Sequence, residues 1–120
     1  MTSEEFVQRM FERAVTSGVD SCIYVLEKPP GRKPRRSLLE ESDWFNGLDQ
    51  VSKAFVQRSM TRAAEMALFS VFTVLDGIGF IEGIGPKGEF KLYFEKDGER
   101  TLLNVGDGDM LHDLMPQEPA

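Results

Sequence analysis

The sequence predicts an α+β domain, with helices first and a small antiparallel sheet near the end. Three observations carry this prediction. Val56, Met60, Ala63, Ala67, Val71 and Leu75 recur at steps of three and four, the period of an α-helix. From Met66 to Leu75 the same segment is apolar nearly all round, the pattern of a helix enclosed by protein. Farther on, "EFKLYFE" and "RTLLN" flank "KDGE", whose Asp97-Gly98 pair suits the type I′ turn of a two-residue hairpin. A chain of 120 residues is the size of one domain. We assign 1–115 to a single globular unit and 116–120 to a disordered tail.

The elements follow in order. Thr2 and Glu5 form a capping-box pattern ahead of Phe6, Val7, Met10, Phe11, Ala14 and Val15, which share a helical face. Gly18 is expected to break or bend that helix. For residues 19–27 the spacing of Val19, Cys22, Ile23 and Leu26 argues helix, and Ile23-Tyr24-Val25 argues strand. Helix is the favoured reading, with Cys22 on the apolar stripe. Pro29 and Pro30 end the segment in either case. Ser37 with Glu40 repeats the capping signature and predicts a short helix from about 38 to 45, anchored by Trp44 and Phe45 and stopped at Asn46-Gly47. Asp49 is placed to cap the longest helix, about 50–75, roughly 39 Å at the α-helical rise.

Asp76-Gly77 closes that helix. The glycine-rich "IGFIEGIGPKG" leaves room for a strand near 78–81, so the sheet is a two- or three-stranded meander. The hairpin register pairs Phe94 with Thr101, Leu92 with Leu103 and Phe90 with Val105, and sets Glu95 opposite Arg100. "GDGDMLHDLMP" predicts a short helical turn capped by Asp107 or Asp109 and docked by Leu111, Leu114 and Met115.

Composition narrows function. The chain carries a net charge of −6, which disfavours general affinity for nucleic acid. A hydrophobic content of 41% with nine phenylalanines argues for a packed core over disorder. One cysteine excludes an internal disulfide and fits a reducing compartment. The N-terminus carries acids where a secretory leader needs cations, and no apolar run reaches membrane-spanning length. These features predict a soluble, cytoplasmic protein with no membrane association.

Against the acidic background stands "KPPGRKPRRS", with Lys28, Arg32, Lys33, Arg35 and Arg36 and no acid. Such a loop can contact phosphates or an acidic partner, or serve as a solvated linker. It has no stacking aromatics and matches no nucleic-acid module, so nucleic acid is the weaker alternative. Asp107, Asp109, His112 and Asp113 are metal-ligand types, but their spacing lacks a calcium-loop pattern and His112 is the only histidine. No metal and no cofactor is expected. Gly77, Gly79 and Gly83 follow a helix rather than a strand, so they form no dinucleotide cradle. A single histidine and a cysteine on an apolar stripe argue against catalysis, and the chain is expected not to be an enzyme.

From Trp44 onward, "WFN", "VLDG", "FKLYFEKDGERTLLN" and "LHDL" form a string of landmarks. It resembles a group of small uncharacterised bacterial proteins across about two thirds of the chain. The resemblance implies a bacterial origin and carries no activity. In size and charge such proteins are similar to immunity proteins and antitoxins. The expected function is therefore protein binding, with a basic toxin as the partner an acidic inhibitor would suit. The candidate partner-binding residues are Arg32, Lys33, Arg35 and Arg36 in the loop, and Glu40, Glu41, Asp43, Trp44, Asp107, Asp109 and Asp113 elsewhere. A nucleic-acid-associated regulator and a homo-oligomeric structural protein are the alternatives; in the latter, the alanine-lined long helix would pair with its own copy in a homodimer.

Overall fold

The computed structural model describes residues 1–104, 106 and 108–117. Helix α1 (Ser3–Phe11) opens as expected, with Thr2 Oγ1 accepting the N–H of Glu5 at 3.1 Å. The helix widens through one π turn (Glu12–Thr16) and continues as α2 (Ser17–Glu27). Gly18 does not break it. A glycine inside a helix costs about 1 kcal/mol relative to alanine. Burial of Val15 and Val19 on either side of Gly18 outweighs that cost. Residues 19–27 are helical, and α2 ends just before the Pro29-Pro30 pair.

Helix α3 (Arg36–Asn46) starts earlier than expected. Ser37 does not cap it. Glu40 pairs instead with Arg36 one turn back, at 3.2 Å, so its carboxylate is not used in a capping box. At the other end, the amide of Asn46 donates to the carbonyl of Glu27 at 3.1 Å and to Ser42 Oγ at 3.3 Å. That joins the ends of α2 and α3. Phe45 is buried, with the Lys53 ammonium 5.5 Å from its ring centre. Trp44, read from sequence as an anchor beside it, points out and is 60% exposed.

Helix α4 (Gln50–Leu75) has the predicted bounds, and Asp49 Oδ1 accepts the N–H of Ser52 at 2.7 Å. Its inner face supplies Leu68 and Phe72 to the core, with Ala64 and Leu75 beside them. Val7, Val15, Leu111 and Met115 complete that cluster, and Phe6 meets Phe72 with ring centres 6.0 Å apart. The expected all-round burial of 66–75 does not occur: Met66, Phe69 and Val71 are exposed. The π turn, α2 and the C-terminal turn pack on α4, and α1 adds Phe6 against Phe72. They cover its inner side and leave Met66, Phe69 and Val71 exposed.

Beyond α4 the expected strand at 78–81 is absent, because its donors are used elsewhere. The N–H groups of Ile78 and Gly79 both donate to the carbonyl of Thr73, at 3.1 and 2.9 Å. A Cβ on Gly79 would lie 2.9 Å from Thr73 Oγ1, so the close approach requires glycine there. The sheet has two strands, β1 (Tyr93–Lys96) and β2 (Glu99–Leu102), antiparallel in the predicted register. Asp97 and Gly98, with φ of 53° and 80°, form the turn. Leu103 N–H to the Leu92 carbonyl, 2.8 Å, extends the pairing. The Phe90–Val105 pair involves Val105, outside the described residues.

The C-terminal turn is a 3₁₀ helix (Leu111–Leu114), docked as expected by Leu111, Leu114 and Met115. The shape is extended, 50 × 37 × 33 Å, with a radius of gyration of 18.4 Å. A compact chain of this length would have about 13–14 Å. Among the described residues no helix is long and apolar enough to cross a membrane.

Candidate functional site

Two places gather the residues that the sequence singles out. The first is the C-terminal end of α4. Asp76 caps that helix through its own N–H and sends its buried carboxylate across to the 3₁₀ turn. Oδ1 accepts the N–H of Leu111 and Oδ2 the N–H of His112, each at 2.9 Å. Oδ2 also lies 2.6 Å from His112 Nδ1. A carboxylate only accepts, so Nδ1 is the donor. The cap expected from Asp107 or Asp109 is thus supplied by Asp76. Asp109 is exposed and does not cap the turn, and Asp107 lies outside the described residues.

Asn104 makes the second tie at this end. Its amide nitrogen donates to the carbonyls of Leu75 at 2.5 Å and Phe90 at 2.8 Å, and its oxygen accepts the N–H of Leu92 at 2.8 Å. One buried side chain thereby joins α4, the segment before the hairpin and the segment after it. Ser3 Oγ adds a donor to the Leu103 carbonyl at 2.7 Å, drawing in the N-terminus. The landmarks "LDG", "LN" and "LHDL" therefore meet in space, as joints between elements.

The joint carries an Asp–His pair. The second ring nitrogen of His112 lies 3.2 Å from Asp113 Oδ1, a carboxylate rather than a hydroxyl or thiol. Phe69 stands edge-on to the imidazole, with centres 5.4 Å apart. Both ring nitrogens are thus engaged by carboxylates. Cys22 is exposed on α2, off the apolar stripe expected for it, because Val19 and Leu26 take the inner face. Among the described residues no three His, Cys, Asp or Glu side chains are placed to hold a metal ion.

The second place is α3 with the loop before it. Arg36, Glu40, Asp43 and Trp44 share one exposed face of α3, and Glu41 lies beside Trp44 one turn earlier. Arg32, Lys33 and Arg35 are exposed, and among the described residues only Arg36 of this loop enters an ion pair. Of the loop cations, Arg36 meets one of these acids, Glu40, while Glu41, Asp43 and Trp44 lie farther along α3. Asp113 belongs to the other end of the chain order, beside His112, and Asp109 is exposed near it. The residues that pattern alone does not reveal are Asp76 and Asn104, whose partners are remote in sequence.

Comparison of the chain with protein-family models, with curated proteins and with solved structures gave no match.

Proposed function

We propose that the protein acts by binding another protein without catalysis, and that its partner-facing surface is the outer face of α3. The observation that carries this reading is Trp44. It is a large aromatic held out in solvent, with the exposed acids Glu40, Glu41 and Asp43 on the helical turn that precedes it. Tryptophan is the residue type most enriched at binding hot spots, and surrounding charge sets the sign and speed of encounter. These acids, with net charge −6 behind them, suit a basic partner. The specific form we favour is an inhibitor of the immunity or antitoxin type, acting in the cytoplasm on a basic toxin. Its test is capture of products of neighbouring genes by the wild-type chain, by Trp44→Ala and by a Glu40→Lys, Glu41→Lys, Asp43→Lys variant. A partner held by wild type and lost by both variants supports the reading. Retention of none of those products, or retention unchanged by the variants, refutes it.

A second reading rests on the loop cations. Arg32, Lys33 and Arg35, exposed and outside any ion pair among the described residues, are suited to phosphate contacts. It predicts oligonucleotide binding that weakens steeply with salt and is abolished by Ala at Arg32, Lys33, Arg35 and Arg36. Fluorescence anisotropy with a single-stranded oligonucleotide at low and moderate salt measures it; binding that survives the four substitutions rejects it.

A further inference from the structure

A groove of about 510 Å³ runs along α4 where that helix passes Phe11, the residue that leads into the π turn. Its α4 wall carries Arg58 and Arg62, one helical turn apart, with Glu65 beyond them. Phe11 and Pro116 stand on the other side. The groove continues past Gln57 and Thr61 into a recess of about 220 Å³ beside Thr16 and Asp20, where the π turn passes into α2. Phe11, Gln57, Thr61 and Glu65 line both spaces, so the two form one cleft. Its size is that of a small-molecule site, and π turns are rare and concentrate at functional sites.

The charge on the α4 wall is uncompensated. Cations at i and i+4 of a helix repel each other. Acids outnumber cations in this chain by 20 to 14, yet among the described residues none forms an ion pair with Arg58 or Arg62. Even Glu65, three residues from Arg62, stays outside ion-pair distance. The Arg58 guanidinium lies over the Phe55 ring, 5.3 Å from its centre. Such a contact engages the face of the guanidinium and leaves its N–H edge to donate.

We propose that this cleft binds a small phosphate ester, with the phosphate held by Arg58 and Arg62. A single guanidinium fork satisfies both oxygens of a carboxylate. Two forks one turn apart match a group with three terminal oxygens, as a phosphate monoester has. The acids of the cleft define the rest of the ligand. Glu65 is half-buried, and Asp20 stands in the recess. Carboxylates only accept, so the body of the ligand brings O–H or N–H donors to them. Phe11 offers an apolar surface for its carbon skeleton. The same two acids repel a second anionic group, which disfavours a dicarboxylate. Sugar phosphates and nucleoside monophosphates share the required chemistry.

No residue of α3 or of the basic loop lines the cleft, so this site and the α3 surface fail separately: Arg62→Lys bears on one and Trp44→Ala on the other. Isothermal titration calorimetry on the full chain at low salt, with ribose phosphate, adenosine monophosphate, inorganic phosphate and succinate as probes, tests the proposal. One of the two esters should bind saturably, with a Kd of about 100 µM or lower, and which one binds tells sugar from nucleoside phosphate. Inorganic phosphate and succinate should bind about tenfold more weakly or not at all. Arg58→Lys and Arg62→Lys, at exposed positions, keep the charge and lose the fork. Each should retain its helical circular dichroism and weaken the ester about tenfold, while Arg9→Lys, outside the cleft, leaves it unchanged. Glu65→Gln should weaken the ester and spare inorganic phosphate. Failure of both esters to bind up to about 10 mM overturns the proposal. So does ester binding indifferent to both lysine substitutions, or succinate bound as tightly as an ester.

Discussion

Oδ2 of Asp76 lies 2.6 Å from Nδ1 of His112, and the same buried carboxylate accepts the backbone N–H groups of Leu111 and His112. Asp76 ends the longest helix, and His112 belongs to the last element of the chain. One side chain therefore closes α4 and starts the 3₁₀ turn. It also explains how a four-residue turn, too short to hold itself, stays in place to deliver Leu111 and Met115 to the core.

Asp76→Asn tests this joint with little change in size. The amide replaces one accepting oxygen by a donor that faces N–H groups, leaving buried donors unpaired. Hydrogen bonds to charged groups contribute about 1.5–3 kcal/mol each, so a loss of about 3 kcal/mol is expected. For a chain of this length that lowers Tm by about 10 °C. Thermal unfolding followed by circular dichroism measures it. A shift of a degree or two would mean that the carboxylate is dispensable.

Asn104 is tested by a pair of substitutions. Asn104→Asp keeps the shape, removes both donors and sets a carboxylate against the carbonyls of Leu75 and Phe90. Asn104→Ala removes the side chain altogether. If hydrogen bonding is what Asn104 contributes, Asp is at least as damaging as Ala, each by about 2–3 kcal/mol in urea unfolding. Tolerance of Asp with damage from Ala would instead assign the effect to packing.

Sequence legibility in this protein follows distance along the chain. The caps of α1 and α4 can be read directly, because Thr2 and Asp49 act on N–H groups three residues away. The hairpin register can be read because Asp97-Gly98 fixes both strands at once. Asp76 cannot be read as the cap of the 3₁₀ turn, since its partners lie 35 and 36 residues on. Periodicity shows which residues of α4 share a face. It does not show how many neighbours exist to cover them, and so the exposure of Met66 and Phe69 emerges only in the fold. The Trp44-Phe45 pair divides for a similar reason: adjacent helical positions point about 100° apart, and the packing of α2 decides which one is buried.

That division gives a stability prediction independent of any partner. Phe45→Ala empties a buried site and should cost about 3–5 kcal/mol. Trp44→Ala removes an exposed side chain and should cost about 0.5 kcal/mol or less. Urea unfolding of the two variants reads the difference. A large loss for Trp44→Ala would return Trp44 to a core role and remove the observation on which the α3 reading stands.

Acid unfolding offers a test of the α4 cap. The N–H of Ser52, and then its hydroxyl, stabilise the ionised form of Asp49 and hold its carboxyl below the usual carboxylate range. A carboxylate whose pKa is lower in the folded state contributes stability above its unfolded pKa, near 3.9 for an ordinary Asp, roughly. That contribution disappears as pH falls through the folded value. Asn is as good an N-cap as Asp and does not titrate. Asp49→Asn should therefore leave Tm near pH 7 almost unchanged while reducing the fall of Tm below about pH 4. Asp49→Ala should lower Tm at neutral pH and show the same shallow acid slope. Thermal melts of the three proteins from neutral to strongly acidic pH decide the matter. An acid slope in Asp49→Asn as steep as in the wild type would assign the acid sensitivity to other carboxylates.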